Sequence, residues 1–236
     1  MSKKLTALAG LTASLVFAAG PVLAGDITGT ITYTGKVPNL KPIAMDADPV
    51  CKSKHSTPVP SEALVLGPGN TMGNVMVRVK GPVQGSFPVP ATPVVIDQKG
   101  CQYHPHVVGI RVGQTLQLRN SDGLLHNVHA LPKVNTPFNM AMPANRLTAD
   151  AKFGKEEGMF LVKCDVHGWM TAYAGVFANP FFSVSGTDGK YKISGLPPGT
   201  YEVEAWHEKL GTQTTKVTVA ANKPAAANFS FAPPAK

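Results

Sequence analysis

Cysteine is scarce in this chain: Cys51, Cys101 and Cys164 are the only three in 236 residues. So few exclude a scaffold stapled by several disulfides and a four-cysteine structural zinc site. Charge is also thin, at 15% of residues, and the cations are scattered. No basic run is interleaved with aromatics, so no nucleic-acid partner is expected. No apolar run approaches the ~20 residues that a membrane-spanning helix needs, so no membrane span is expected. Helical periodicity is nearly absent, which argues against a helical bundle.

The first residues read MSKKLTALAGLTASLVFAAGPVLA. Lys3 and Lys4 precede an apolar run from Leu5 to Ala19, and Val22-Leu23-Ala24 has the small-residue pattern of a cleavage site. Residues 1–24 are therefore expected to be a secretory signal peptide. No cysteine follows Ala24, so a lipid anchor there is not expected. The expectation is a periplasmic or secreted protein beginning near Gly25. Losing Lys3 and Lys4 takes the formal charge from +8 to +6. An acidic protein partner is one class that such a charge suits.

About 212 residues remain, enough for one large β domain or two smaller ones. Alternation dominates them. Residues 27–34, ITGTITYT, put Ile27, Ile31 and Tyr33 on one face. Residues 74–80, 106–112, 115–119, 159–164 and 172–177 alternate likewise, with Gly, Pro, Asn and Asp between them. Short strands with such turns predict an all-β sandwich fold. The segment near 133–157 is expected to be the longest irregular connection.

After Asn179 the character changes. Asp188-Gly189 is a hairpin signal, and Pro197-Pro198-Gly199 is a second turn before an alternating run to Trp206. The words TDGKYKISGLPPGTYEVEAW resemble the carboxypeptidase regulatory-like (transthyretin-like) sandwich module over about fifty residues. The resemblance implies a structural module and no catalysis. At that size it is marginal alone, so it is expected to dock against the upstream chain. GDITGTITYTG near the N-terminus has a similar edge-strand character and is a candidate to complete it.

The stretch CDVHGWM, residues 164–170, gathers a thiolate, an imidazole and a thioether. Copper that cycles one electron is held by one cysteine, two histidines and a weak axial methionine. MFLVKC enters this loop and AYAGVF leaves it, which places Cys164 at a strand end, with His167 and Met170 at intervals of three. The remaining histidine must come from another strand. RNSDGLLHNVHA, residues 119–130, supplies His126 after a polar turn.

Asn120-Ser121-Asp122 followed by His126-Asn127-Val128 resembles the first-histidine motif of the cupredoxins. Cys-x-x-His-x-x-Met is similar to the short ligand loop of amicyanin, and VVGIRVGQTLQLRNSD resembles their central strands. The likeness spans residues 93–178. It implies a Greek-key β-sandwich, one type 1 copper ion on His126, Cys164, His167 and Met170, and transfer of single electrons through an exposed His167. Val166 stands where the family has proline, and the bulky Trp169 lies beside the site. A dinuclear copper centre needs a second loop cysteine that is absent.

With Cys164 assigned to metal, Cys51 and Cys101 are expected to form a disulfide. The competing reading is a second metal site drawn from Cys51, His55, Cys101, His104 and His106. His106 alternates with Val108 and Ile110, so it is expected to be a satisfied core histidine, with a supporting role near copper as the alternative. His129 is three residues past His126 and points to the opposite face of a strand. His207 is expected at a turn or on the surface. Met140, Met142 and Met159 are read as gap fillers.

The expected organisation is a leader (1–24), an N-terminal β segment of open assignment (25–92), a copper domain (93–178) and a C-terminal sandwich module (179–236). The expected function is an exported electron carrier serving a redox protein partner rather than an enzyme. The alternatives are a copper-handling or interaction protein, or a copper enzyme using the spare histidines.

Overall fold

A computed structural model describes residues 24–233, so nearly all of the expected leader lies outside the described residues. Among these, no helix is long and apolar enough to cross a membrane. The chain opens with β1 (Gly25–Tyr33). A long irregular segment follows, holding a five-residue helix α1 (Pro49–Ser53) and a 3₁₀ turn (Pro68–Asn70). It ends at β2 (Met76–Val79).

The next strands build a sandwich of two sheets. One has the order β4–β3–β6–β9, from β3 (Val94–Lys99), β4 (Gln102–His104), β6 (Thr115–Asn120) and β9 (Thr148–Lys152). The other has the order β5–β11–β10–β7–β8. Its members are β5 (Val107–Arg111), β7 (His126–Ala130), β8 (Phe138–Met142), β10 (Glu157–Lys163) and β11 (Thr171–Phe177). Ile96, Leu116, Leu118, Val128, Phe153 and Val162 are buried between them.

The remaining strands are β12 (Phe182–Val184), β13 (Lys190–Leu196), β14 (Gly199–His207), β15 (Gly211–Val219), β16 (Ala225–Ala226) and β17 (Phe229–Phe231). They do not form a sandwich by themselves. β1 lies between β13 and β16 and also pairs with β17, while β2 lies between β12 and β14. The first and last parts of the chain thus make one sandwich, and β3–β11 is inserted into it. The alternation in β1 explains its place: Ile27, Ile31 and Tyr33 are buried, each large side chain worth about 1.5–3 kcal/mol of burial. Gly29 is in phase with them, yet a Cβ there would lie 1.8 Å from the Ala227 carbonyl oxygen, so only glycine fits.

The two sandwiches pack through Met76, Val107 and Phe177, with Phe182 and Trp206 against them. β2 therefore has no solvent face. Val77 and Val79 enter the second core, while Arg78 lies over the Phe177 ring and pairs with Glu204 at 2.7 Å.

Two expectations are corrected. Residues 133–157 are not one irregular connection, because β8 and β9 fall within them. Phe138, Met140 and Met142 alternate there, but Pro137 and Pro143 bracket the run and mask it. Asp188-Gly189 does form a tight turn, with Gly189 at φ +70°. It is not a hairpin, since β12 pairs with β2 and β13 with β1. The hairpin lies between β14 and β15, in register from Gly199–Val219 to His207–Gly211.

A fragment of residues 179–236 lacks both β1 and β2, which are interior strands. It is expected to give an undispersed amide NMR spectrum. A dispersed, folded spectrum would show that the inserted architecture is not needed for this sandwich.

Candidate metal centre

The register Lys163–His129 between β10 and β7 carries the chain past β7, which brings the following loop alongside residues 126–128. Asn127 fastens it there. Its Oδ1 accepts from Asp165 N (2.7 Å), Val166 N (3.3 Å) and the Cys164 thiol (3.2 Å). The loop closes on itself as Cys164 N donates to Met170 O (3.1 Å) and Met170 N to His167 O (2.9 Å). Cys164 and Met170 thus sit at the ends of β10 and β11, and the sheet sets their direction.

His126, Cys164 and His167 offer ligand atoms within 4.8 Å of one another, all buried, and Met170 is buried beside them. The two Nδ1 atoms are 2.9 Å apart, and His167 Nδ1 is 4.0 Å from Cys164 Sγ. Each far nitrogen meets a carboxylate: His126 Nε2 lies 3.0 Å from Asp122 Oδ2, and His167 Nε2 lies 2.9 Å from Asp48 Oδ2. An ionised carboxylate only accepts, so each Nε2 carries a proton and donates it. Burial opposes a charge on His126, but its bonds to Asp122 and Cys164 raise it to about 9, so near neutrality its Nδ1 also carries a proton, directed at His167 Nδ1 and the sulfur. A cation bound there would displace that proton and take both Nδ1 lone pairs. Two acceptors facing each other need a proton or a cation between them. The donor set, two imidazoles, a thiol and a thioether, fits copper.

The electrostatics favour a thiolate. Burial alone pushes the Cys164 thiol up, but hydrogen bonds from His126 and from backbone N–H groups, Asn127 and His167 among them, outweigh it and bring it down to about 7. Burial likewise opposes ionisation of Asp122. Its bonds from His126, Cys101 N and Gly100 N, with Lys54 nearby, hold it at about 2.

The irregular segment after β1 reaches across to this end of the insert. Cys51 on α1 is bonded to Cys101 in the β3–β4 turn. Asp122 Oδ1 accepts from Gly100 N and Oδ2 from Cys101 N, both at 2.7 Å, so the same turn is tied to the His126 carboxylate. Trp169 Nε1 donates to Cys101 O at 3.1 Å, and its ring lies 5.1 Å from that of His167. The disulfide is therefore part of the wall around both histidines.

His167 is only 3% exposed, which corrects the expectation of an exposed histidine edge. The strap around α1 covers it. The competing metal site is not assembled: His55 bonds Gly100 O, His104 is exposed, and His106 bonds Thr171 O and Glu208. His129 bonds Asp165 instead of joining the cluster. His207 is buried near Phe231, and burial pushes it down to about 4, so the surface expectation is corrected. Met142 is buried in the first core, and Met159 packs at the junction of the sandwiches. Sequence inspection missed Asp48 and the role of Asp122. The only local sign of Asp48 is Asp-Pro opening a helix.

Residues 175–232 match the carboxypeptidase regulatory-like domain model. The β3–β11 part is a two-sheet sandwich with the Cys164 loop at one end. No curated protein matches the chain. Among solved structures, an oxidised amicyanin variant is 22% identical, covering 38% of this chain and 86% of its own, at a TM-score of 0.33. The copper-containing nitrite reductase of Thermus scotoductus SA-01 is 20% identical, covering 42% of this chain and 25% of its own, at 0.34. A purple cupredoxin from Nitrosopumilus maritimus is 21% identical, covering 36% of this chain and 98% of its own, at 0.30.

The Cys51–Cys101 bond closes a loop of 50 residues. Replacing both cysteines by serine is expected to lower unfolding stability by about 4 kcal/mol on the chain-entropy estimate. Denaturant unfolding of the two proteins measures this, and equal midpoints would contradict it.

Proposed function

We propose that this protein is an exported type 1 copper protein that carries single electrons between redox partners. The observation that carries the reading is the pair of facing Nδ1 atoms beside Cys164, with both outer nitrogens already occupied by carboxylates. Copper bound there would supply a one-electron couple. The chain's own part is to hold His126, Cys164, His167 and Met170 in one geometry while the charge changes. β7, β10 and β11 fix the positions, and Asn127 fixes the loop. Burial of all four side chains excludes water and limits rearrangement, which favours fast exchange of an electron over turnover of a substrate.

The leader pattern and the disulfide support a periplasmic or extracellular setting. The excess of cations suits an acidic face on a redox partner. The carboxypeptidase regulatory-like part supports the reading as scaffold, since its sandwich shares an apolar junction with the insert.

Cu(II) titration of the mature chain is expected to give an intense thiolate-to-copper band that saturates at one equivalent, with a reversible one-electron wave in voltammetry. Cys164→Ser is expected to lose the band. Persistence of an intense band in that variant, or a parent protein with no reversible wave, would contradict the proposal.

A further inference from the structure

The strap between β1 and β2 does more than cover His167. Asp48 is the N-cap of α1, and its Oδ1 accepts from Val50 N (2.8 Å) and Cys51 N (3.1 Å). Capping commits that oxygen and turns Oδ2 toward His167 Nε2 at 2.9 Å. The helix cannot drift away, because Cys51, the third residue after the cap, is bonded to Cys101. Cys51 Sγ itself lies 3.6 Å from the same nitrogen. The Asp48 side chain is 29% exposed, so it is the layer between His167 and water.

From this the geometry points to Asp48 as a positioning residue: it fixes the His167 proton on Nε2, keeps Nδ1 free to bind copper, and lowers the reduction potential of the site. The inference rests on the copper reading above. A carboxylate that accepts from Nε2–H draws the proton toward itself and enriches the ring in electron density. The stronger Nδ1 donor favours the more highly charged oxidised ion. Asp122 stands in the same relation to His126. The two histidines therefore reach the site by the same device from two different parts of the chain. One carboxylate comes from the insert. The other comes from a segment 119 residues away, held in place by a covalent bond.

Asparagine is the informative replacement. Asp48→Asn retains an Oδ1 to cap α1, but presents an amide where Oδ2 accepted, so the helix stays capped while the bond from His167 is lost. Asp46→Asn is the control. Asp46 lies on the same strap, pairs with Lys52 at the surface, and removal of its charge leaves His167 untouched.

The test uses the mature full-length chain, the two variants and Cu(II) alone. Copper uptake is followed by absorption, the potential by voltammetry, and the His167 ring by long-range proton–nitrogen NMR of the copper(I) form. The expected result is one copper per chain in all three proteins. The potential rises in Asp48→Asn only, and the slowly exchanging His167 Nε2–H of the parent and Asp46→Asn is lost in Asp48→Asn. Equal upward shifts in both variants would overturn the proposal by reducing the effect to net charge. An unchanged potential and ring signal in Asp48→Asn would reduce Asp48 to a helix cap, while leaving the electron-transfer reading intact. Absence of copper uptake by the parent overturns the copper reading itself, and this inference with it.

Discussion

Two imidazoles whose Nδ1 atoms point at each other are the arrangement on which the rest of the molecule depends. Two Nδ1 atoms 2.9 Å apart must share a proton or a cation. The chain makes the arrangement persist by securing each ring from behind, with Asp122 on His126 and Asp48 on His167. It also buries the cluster, so that water cannot satisfy the nitrogens instead. Cys164 stands beside them with its charge favoured by N–H donors, which completes a set of donors that converge on one point.

The architecture follows from the demands of that cluster. One carboxylate can come from the insert, since Asp122 lies in the turn just ahead of β7. The other must approach from outside, against the edge that the Cys164 loop leaves open. The chain meets this with a segment that leaves β1, crosses to the Cys164 loop, is bonded at Cys51, and returns to β2. Because β1 and β2 are interior strands of the other sandwich, the strap is anchored at both ends in a second core. The carboxypeptidase regulatory-like part is thus the foundation of the strap, as well as a neighbour of the insert through Phe177 and Trp206. His106, buried between Thr171 O and Glu208, ties the end of the Cys164 loop to that same sandwich.

Local features of the site were visible in the sequence. Cys164, His167 and Met170 lie within seven residues, and a thiolate, imidazole and thioether at that spacing carry their own chemistry. His126 could be found because a polar turn precedes a strand. β1 was visible as a strand from Ile27, Ile31 and Tyr33, but its partners are Ile193, Ala225 and Phe229, and nothing in an alternating run names its neighbour across so long a separation. The same limit hid Asp48. Asp-Pro before a five-residue helix announces a cap, and only the folded chain shows that the second oxygen meets a ring 119 residues away. Asp188-Gly189 announces a turn, yet whether the flanking strands pair or part to different sheets is decided by β1 and β2. The exposed histidine edge failed as an expectation for a related reason. It was carried over from a family resemblance that has no counterpart for residues 40–92.

X-ray absorption at the copper edge, on the protein loaded with one equivalent and measured in both oxidation states, reads the donor set itself. Two imidazole nitrogens and one short sulfur around a single copper are expected, with little change between the two states. A shell without sulfur, a single imidazole, or a marked rearrangement on reduction would contradict this expectation.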